Sequence, residues 1–175
     1  LRKDLNEDEI FKISSYKGGI SVLIDRFYVS TNMSEEDFLF YLCYGFFLQL
    51  ADDLQDITED YNLERQTLFT FEKNDNRVQI ILNKLFHFLQ AIMDAYTINN
   101  FELKEFIQKN CFYLLLFSTF GSEENFSKDY LSKLEQYLPV SISFLEKLKE
   151  ELSPFLKDIN FGQILDDTKI DTPFR

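Results

Sequence analysis

The sequence predicts an all-α fold, a bundle of long, mostly antiparallel helices, and three observations carry that prediction. Apolar residues recur three and four positions apart along most of the chain, and no segment alternates apolar with polar residues as a half-buried strand would. Only 5 Gly and 3 Pro punctuate 175 residues, so long helices can run unbroken. The apolar fraction of 45%, with 20 Phe and 9 Tyr but no Trp, is enough to fill a substantial and unusually aromatic core. The length fits one domain, read as residues 1–160 followed by a tail at 161–175.

The first helix is expected from about Glu7 to Val29, with Ile10, Ile13, Ile20, Leu23, Ile24 and Phe27 as its apolar positions and a bend at Gly18-Gly19. Asp4, Glu7, Asp8 and Glu9 read as an acidic first turn that suits the positive end of a helix dipole. Ser30-Thr31-Asn32 breaks the pattern, and Ser34 with Asp37 three residues on has the form of a capping box. The second helix then reaches about Thr58. Tyr61 to Asp75 reads as a polar loop. A third helix is expected over about 76–96 and a fourth over about Phe101 to Phe120, closed by Gly121. A fifth starts near Ser127, and Pro139 either kinks it or opens a sixth helix reaching about Lys157.

The formal net charge of −12 argues against a nucleic-acid surface and against attachment to anionic lipid, both of which need clustered Lys and Arg. No apolar run is long enough for a membrane span, and no signal peptide is visible. Cys43 and Cys111, each inside an apolar run, read as buried thiols of a reducing compartment, the cytoplasm.

The chemistry concentrates in Gly45-Phe-Phe-Leu-Gln49-Leu-Ala-Asp52-Asp53-Leu-Gln-Asp56-Ile-Thr-Glu59-Asp60, where an apolar helix runs straight into acids. Four-residue spacing puts Gln49, Asp53 and Asp56/Asp60 near one stripe, with Asp52 and Asp56 beside it. Carboxylates inside an apolar helix are costly unless cations neutralise them, and at a helix C-terminus the dipole disfavours them further. Grouped hard oxygens suit Mg²⁺, which takes few protein ligands and fills its shell with waters and substrate phosphates.

This pattern, Gly-x-x-x-Gln-x-x-Asp-Asp-x-x-Asp, resembles the second aspartate-rich motif of class I isoprenoid synthases, as in the trans-prenyltransferases, and the matching helix of squalene and phytoene synthases. Ser15-Tyr-Lys17-Gly-Gly19-Ile-Ser-Val-Leu23 is similar to the Lys-Thr-x-x-Leu element upstream of that motif, with Gly18 in place of the usual Thr. Arg65-Gln-Thr67-Leu68-Phe69 resembles the basic Thr-Leu-Pro stretch downstream, with Phe69 in place of Pro. The resemblance covers about residues 10–70. It implies an isoprenoid synthase bundle of which this chain, opening at Leu1 without a first aspartate-rich motif, is the C-terminal half. It implies an enzyme that ionises an allylic diphosphate and condenses it with a second isoprenoid, inactive as this fragment alone. It implies Asp52, Asp53 and Asp56 as catalytic residues, Asp52 and Asp56 as Mg²⁺ ligands, and Lys17, Gln49 and Arg65 on the diphosphate substrate. Asp52-Asp53-x-x-Asp56 points to chain elongation, while the Glu59-Asp60 and Arg65 context points to the squalene/phytoene branch. An exposed apolar face left by a missing half would favour a homodimer.

The plainer alternative is a non-catalytic helical interaction domain whose acidic helix end is merely solvated. Glu59 and Asp60 then either support the ligands from behind or face water, Lys17 and Arg65 are surface charges, and Thr67 has no role. Lys17-Gly18-Gly19 lacks side chains that would block a close ligand approach. Phe38, Tyr41, Tyr44, Phe46 and Phe47 line a hydrocarbon cavity or are plain core, and His87 is a packed or surface residue.

Overall fold

A computed structural model of the chain describes residues 5–98 and 100–157. Within them the chain forms seven α-helices and no strand. They are α1 (Glu7–Val29), α2 (Glu35–Gln55), α3 (Ile57–Asn62), α4 (Asp75–Ala95), α5 (Phe101–Gly121), α6 (Lys128–Glu135) and α7 (Ile142–Lys157). The expected tail at 161–175 and the acid at Asp4 lie outside the described residues. The chain divides into two compact units, Leu1–Gln136 and Tyr137–Arg175. In the second, α7 follows Pro139 as a helix of its own, so the proline precedes a new helix rather than kinking α6.

Caps set the helix starts. Asn6 accepts a bond from the Glu9 N–H while the Glu9 carboxylate accepts one from the Asn6 N–H, each at 3.0 Å. Ser34 and Asp37 form the same reciprocal pair at the start of α2. At the end of α1 the Arg26 guanidinium donates to the Ser30 and Asn32 carbonyls. α5 ends without a left-handed residue: Gly121 is its last helical position, with a negative φ, and Ser122 follows it.

In the first unit α2 is the hub, packing on α1, α4 and α5, with α4 and α5 also in contact. Phe47, Leu54 and Ile57 from α2–α3, Leu82, Leu85 and Met93 from α4 and Leu115 from α5 meet in one fully buried core. Phe46 is buried in it too, while Tyr41 and Tyr44 are half-buried and pack their rings on Phe40. Phe38 is exposed, as is His87. Cys111 is buried, Cys43 half-buried, and both are free thiols.

Four features depart from the sequence reading. First, the pair Gly18-Gly19 lies inside the continuous helix α1. The glycines are consumed by packing rather than left open to a ligand. A Cβ on Gly18 would lie 2.6 Å from the Gln49 Cβ and 2.9 Å from the Gly45 carbonyl carbon, and one on Gly19 would lie 2.9 Å from the Leu42 carbonyl oxygen. Bare backbones therefore let α1 and α2 approach closely. Second, the apolar positions of α1 do not share one buried face: Ile10 and Leu23 are buried, whereas Ile13, Ile20, Ile24 and Phe27 are about half exposed. Third, α2 ends at Gln55 and turns at Asp56 into the short α3, instead of running to Thr58. Fourth, the segment 61–75 is not simply a polar loop. Leu68 and Phe69 plug the core, Phe69 with no exposed surface, and reciprocal backbone-to-hydroxyl bonds between Thr67 and Thr70 shape the turn that drives them inward.

Candidate functional site

The close α1–α2 crossing brings the upstream lysine and the acidic ladder to one cleft of about 510 Å³. All six sequence-selected residues line it: Lys17 from α1, Gln49, Asp52 and Asp53 from α2, Asp56 at the α2–α3 turn, and Arg65 just after α3. Asp60, Ser14, Glu64, Gln66 and Thr67 complete its polar lining, over apolar walls that include Ile10 and Leu63. None of the five aromatics considered as cavity lining reaches it.

Local sequence fixes the position of each charged group. Ile57 is fully buried and anchors α3. The Thr58 hydroxyl bonds Glu124 and accepts from the Asn125 amide, so the turn after α5 holds the acidic wall from behind. α3 then closes in a Schellman motif. The Arg65 N–H donates to the Asp60 carbonyl at 2.8 Å and the Glu64 N–H to the Tyr61 carbonyl at 3.2 Å, with Glu64 in the left-handed region at φ 53°. Glycine is the usual occupant there, and a glutamate accepts a conformational cost of about 1 kcal/mol. That reversal delivers Arg65 to the Asp60 carboxylate at 3.1 Å, with Glu59 at 3.5 Å. Sequence left Glu59 and Asp60 equivalent; the fold separates them, because Asp60 is buried and Glu59 exposed.

Asp53 is the anomalous carboxylate. It is 6% exposed; one oxygen accepts the Gln49 amide at 2.8 Å, and the other, Oδ2, is buried without a hydrogen-bond partner. Burial pushes its carboxyl up to about 6, against the pull of the Gln49 bond and the Lys17 charge and with help from Asp60 and Asp52. Asp56, though exposed, is also raised, by desolvation first and then by repulsion from Asp52, Asp60 and Glu59. No basic residue occupies the last turn of α2 to offset these charges. Gln49 lines the cleft, but its amide nitrogen is committed to Asp53. The Thr67 hydroxyl is tied to Thr70.

The cleft thus presents five carboxylates (Asp52, Asp53, Asp56, Asp60, Glu64) against two cations (Lys17, Arg65). Such a surface repels a bare anion and attracts cations. Among the described residues no three His, Cys, Asp or Glu side chains converge as a ready metal-binding group. Carboxylates of this cleft could hold a Mg²⁺ ion, which uses one or two of them and completes its octahedron with waters and phosphate oxygens.

Comparisons of the chain with protein-family models, with curated proteins and with solved structures find no match.

Proposed function

We propose that the acidic cleft binds a Mg²⁺-diphosphate group, and that the chain contributes this site to an isoprenoid synthase acting on allylic diphosphates. The observation that carries the reading is Asp53: a buried carboxylate with one unpartnered oxygen, in the same cleft as Lys17, Arg65 and the flanking Asp52 and Asp56. Asp52 and Asp56, both exposed to the cleft, would hold the metal. When bound, Mg²⁺ neutralises the diphosphate and stabilises the charge that builds on it as the allylic C–O bond breaks. Lys17 supplies a compact point charge for phosphate oxygens. Arg65, held at the rim by Asp60, can meet a diphosphate with its remaining N–H donors. Gln49 and Lys17 restrain Asp53 as an anion. The bonding pair leaves with pyrophosphate. The allylic cation is captured by the double bond of a second isoprenoid, which then loses a proton. That condensation takes a second acidic wall and a cavity that excludes water.

Calorimetric titration of pyrophosphate, with and without Mg²⁺, tests the reading on the chain and on Asp52→Ala/Asp56→Ala. The cleft's charge balance requires binding to appear only with Mg²⁺ and to vanish in the double variant. Binding without Mg²⁺, or undiminished binding by the variant, would refute it.

One observation favours an interaction role as well. Ile13, Tyr16, Ile20, Ile24 and Phe27 lie three or four residues apart on α1, all about half exposed or more. Such a stripe suits self-association into a homodimer. Sedimentation showing a monomer at high concentration would remove that reading.

A further inference from the structure

A second cavity, of about 350 Å³, lies among α1, α2, α4 and the Thr67–Phe71 turn and shares no lining residue with the acidic cleft. We propose that it is a binding site for a small molecule with a single hydrocarbon chain and an uncharged, hydroxyl-type head. The proposal goes beyond the diphosphate reading and does not depend on it.

Its walls come from separate elements. The Phe11 ring packs edge-on against Phe46 at 4.9 Å, and Phe46 against Phe88 at 5.7 Å, so three helices contribute one continuous aromatic wall. Leu50, Leu68 and Leu85, all buried residues, supply an aliphatic floor, and Ile81 closes one side. Among the described residues, only Glu7, Asp8 and Lys84 around the cavity are polar. The described interior lining offers no hydrogen bond to a polar body, so the occupant's buried part must be apolar.

The rim defines the head. Glu7 is drawn onto the Arg77 guanidinium at 2.8 Å, which leaves Asp8 and Lys84, both exposed and of opposite sign. One acceptor and one donor at the mouth do not select for net charge, but they suit a hydroxyl that both donates and accepts. The volume falls in the range of small-molecule sites, and the mix of aromatic and aliphatic walls with a few rim polar groups is their usual make-up. An apolar space of this kind gains nothing from water and is filled favourably by hydrocarbon.

Fluorescence titration with the neutral probe phenylnaphthylamine, followed by displacement with decanol, tests the site. The chain should bind the probe saturably, one per molecule, and decanol should displace it. Ile81→Trp, which fills the cavity, should weaken both by at least tenfold with the helical signal intact. Asp52→Ala/Asp56→Ala should bind the probe like the parent, so loss of pyrophosphate binding and loss of probe binding are separate results. If Ile81→Trp does not fold, methyl NMR of the parent chain decides instead: decanol should shift Ile81, Leu50, Leu68 and Leu85 and leave Leu115 unmoved. Absence of saturable binding, equal binding by a folded Ile81→Trp, or shifts elsewhere in the protein would overturn the proposal.

Discussion

Replacing Gly18 by alanine perturbs the contact that brings Lys17 to the acidic ladder. An added Cβ would sit 2.6 Å from the Gln49 Cβ, 2.9 Å from the Gly45 carbonyl carbon, and closer still to the Gly45 carbonyl oxygen. Two of these three atoms are backbone, and no rotamer change moves them. The cost therefore falls at the upper end of the ~1–3 kcal/mol typical of overpacking. Alanine's better helix propensity offsets about 1 kcal/mol of it. The net expectation is a loss of roughly 2 kcal/mol, which at a typical urea dependence lowers the unfolding midpoint by about 1 M. Gly121→Ala is the control. Gly121 is helical with a negative φ, and nothing lies within 4 Å of an added Cβ, so the same substitution should stabilise by about 0.5–1 kcal/mol. Urea unfolding followed by far-UV circular dichroism reads both. Equal midpoints for the two variants would refute the argument that glycine at 18 exists to let two helices touch.

Asp53→Asn keeps an acceptor for Gln49 and removes the titration. Because burial raises the Asp53 carboxyl from 3.8 to about 6, the native state holds its proton longer than the unfolded chain, and stability falls as pH rises from about 4 to about 6. At about 1.4 kcal/mol for each pH unit of that window, the variant should be roughly 2–3 kcal/mol more stable than the parent at pH 7 and no more stable near pH 4. A difference independent of pH, read from urea midpoints at the two values, would contradict the assignment. Phe69→Ala removes a ring with no exposed surface and should cost about 3–5 kcal/mol, measured in the same unfolding experiment. It should also raise hydrogen exchange over residues 65–72, since Phe69 pins that turn to the core; unchanged exchange there would show that the Thr67–Thr70 bonds hold the turn alone.

The sequence by itself determined what depends on near neighbours along the chain. Helix class, the Ser34–Asp37 capping box and the helix starts within a residue or two follow from spacing and local hydrogen bonding. The acidic ladder and the residues gathered around it were legible for the same reason: Gln49, Asp53 and Asp56 share a helix face whatever that face meets. Tertiary structure decided which faces meet something. Lys17 joins the acids only because Gly18, Gly19 and Gly45 let two helices touch, and bare glycine in a sequence looks the same whether it faces a ligand or another backbone. The apolar positions of α1 looked uniform, yet partners exist for Ile10 and Leu23 and, within the described residues, not for much of Ile13, Ile20, Ile24 or Phe27. Asp60 and Glu59 are adjacent acids of the same charge that both reach Arg65, and only the burial of Asp60 distinguishes them. Phe69 stands in a segment that reads as a polar loop, and only the packed core shows that its ring is fully buried. Local pattern assigns a residue to an element; burial and pairing belong to two elements at once, so only the packed chain fixes them.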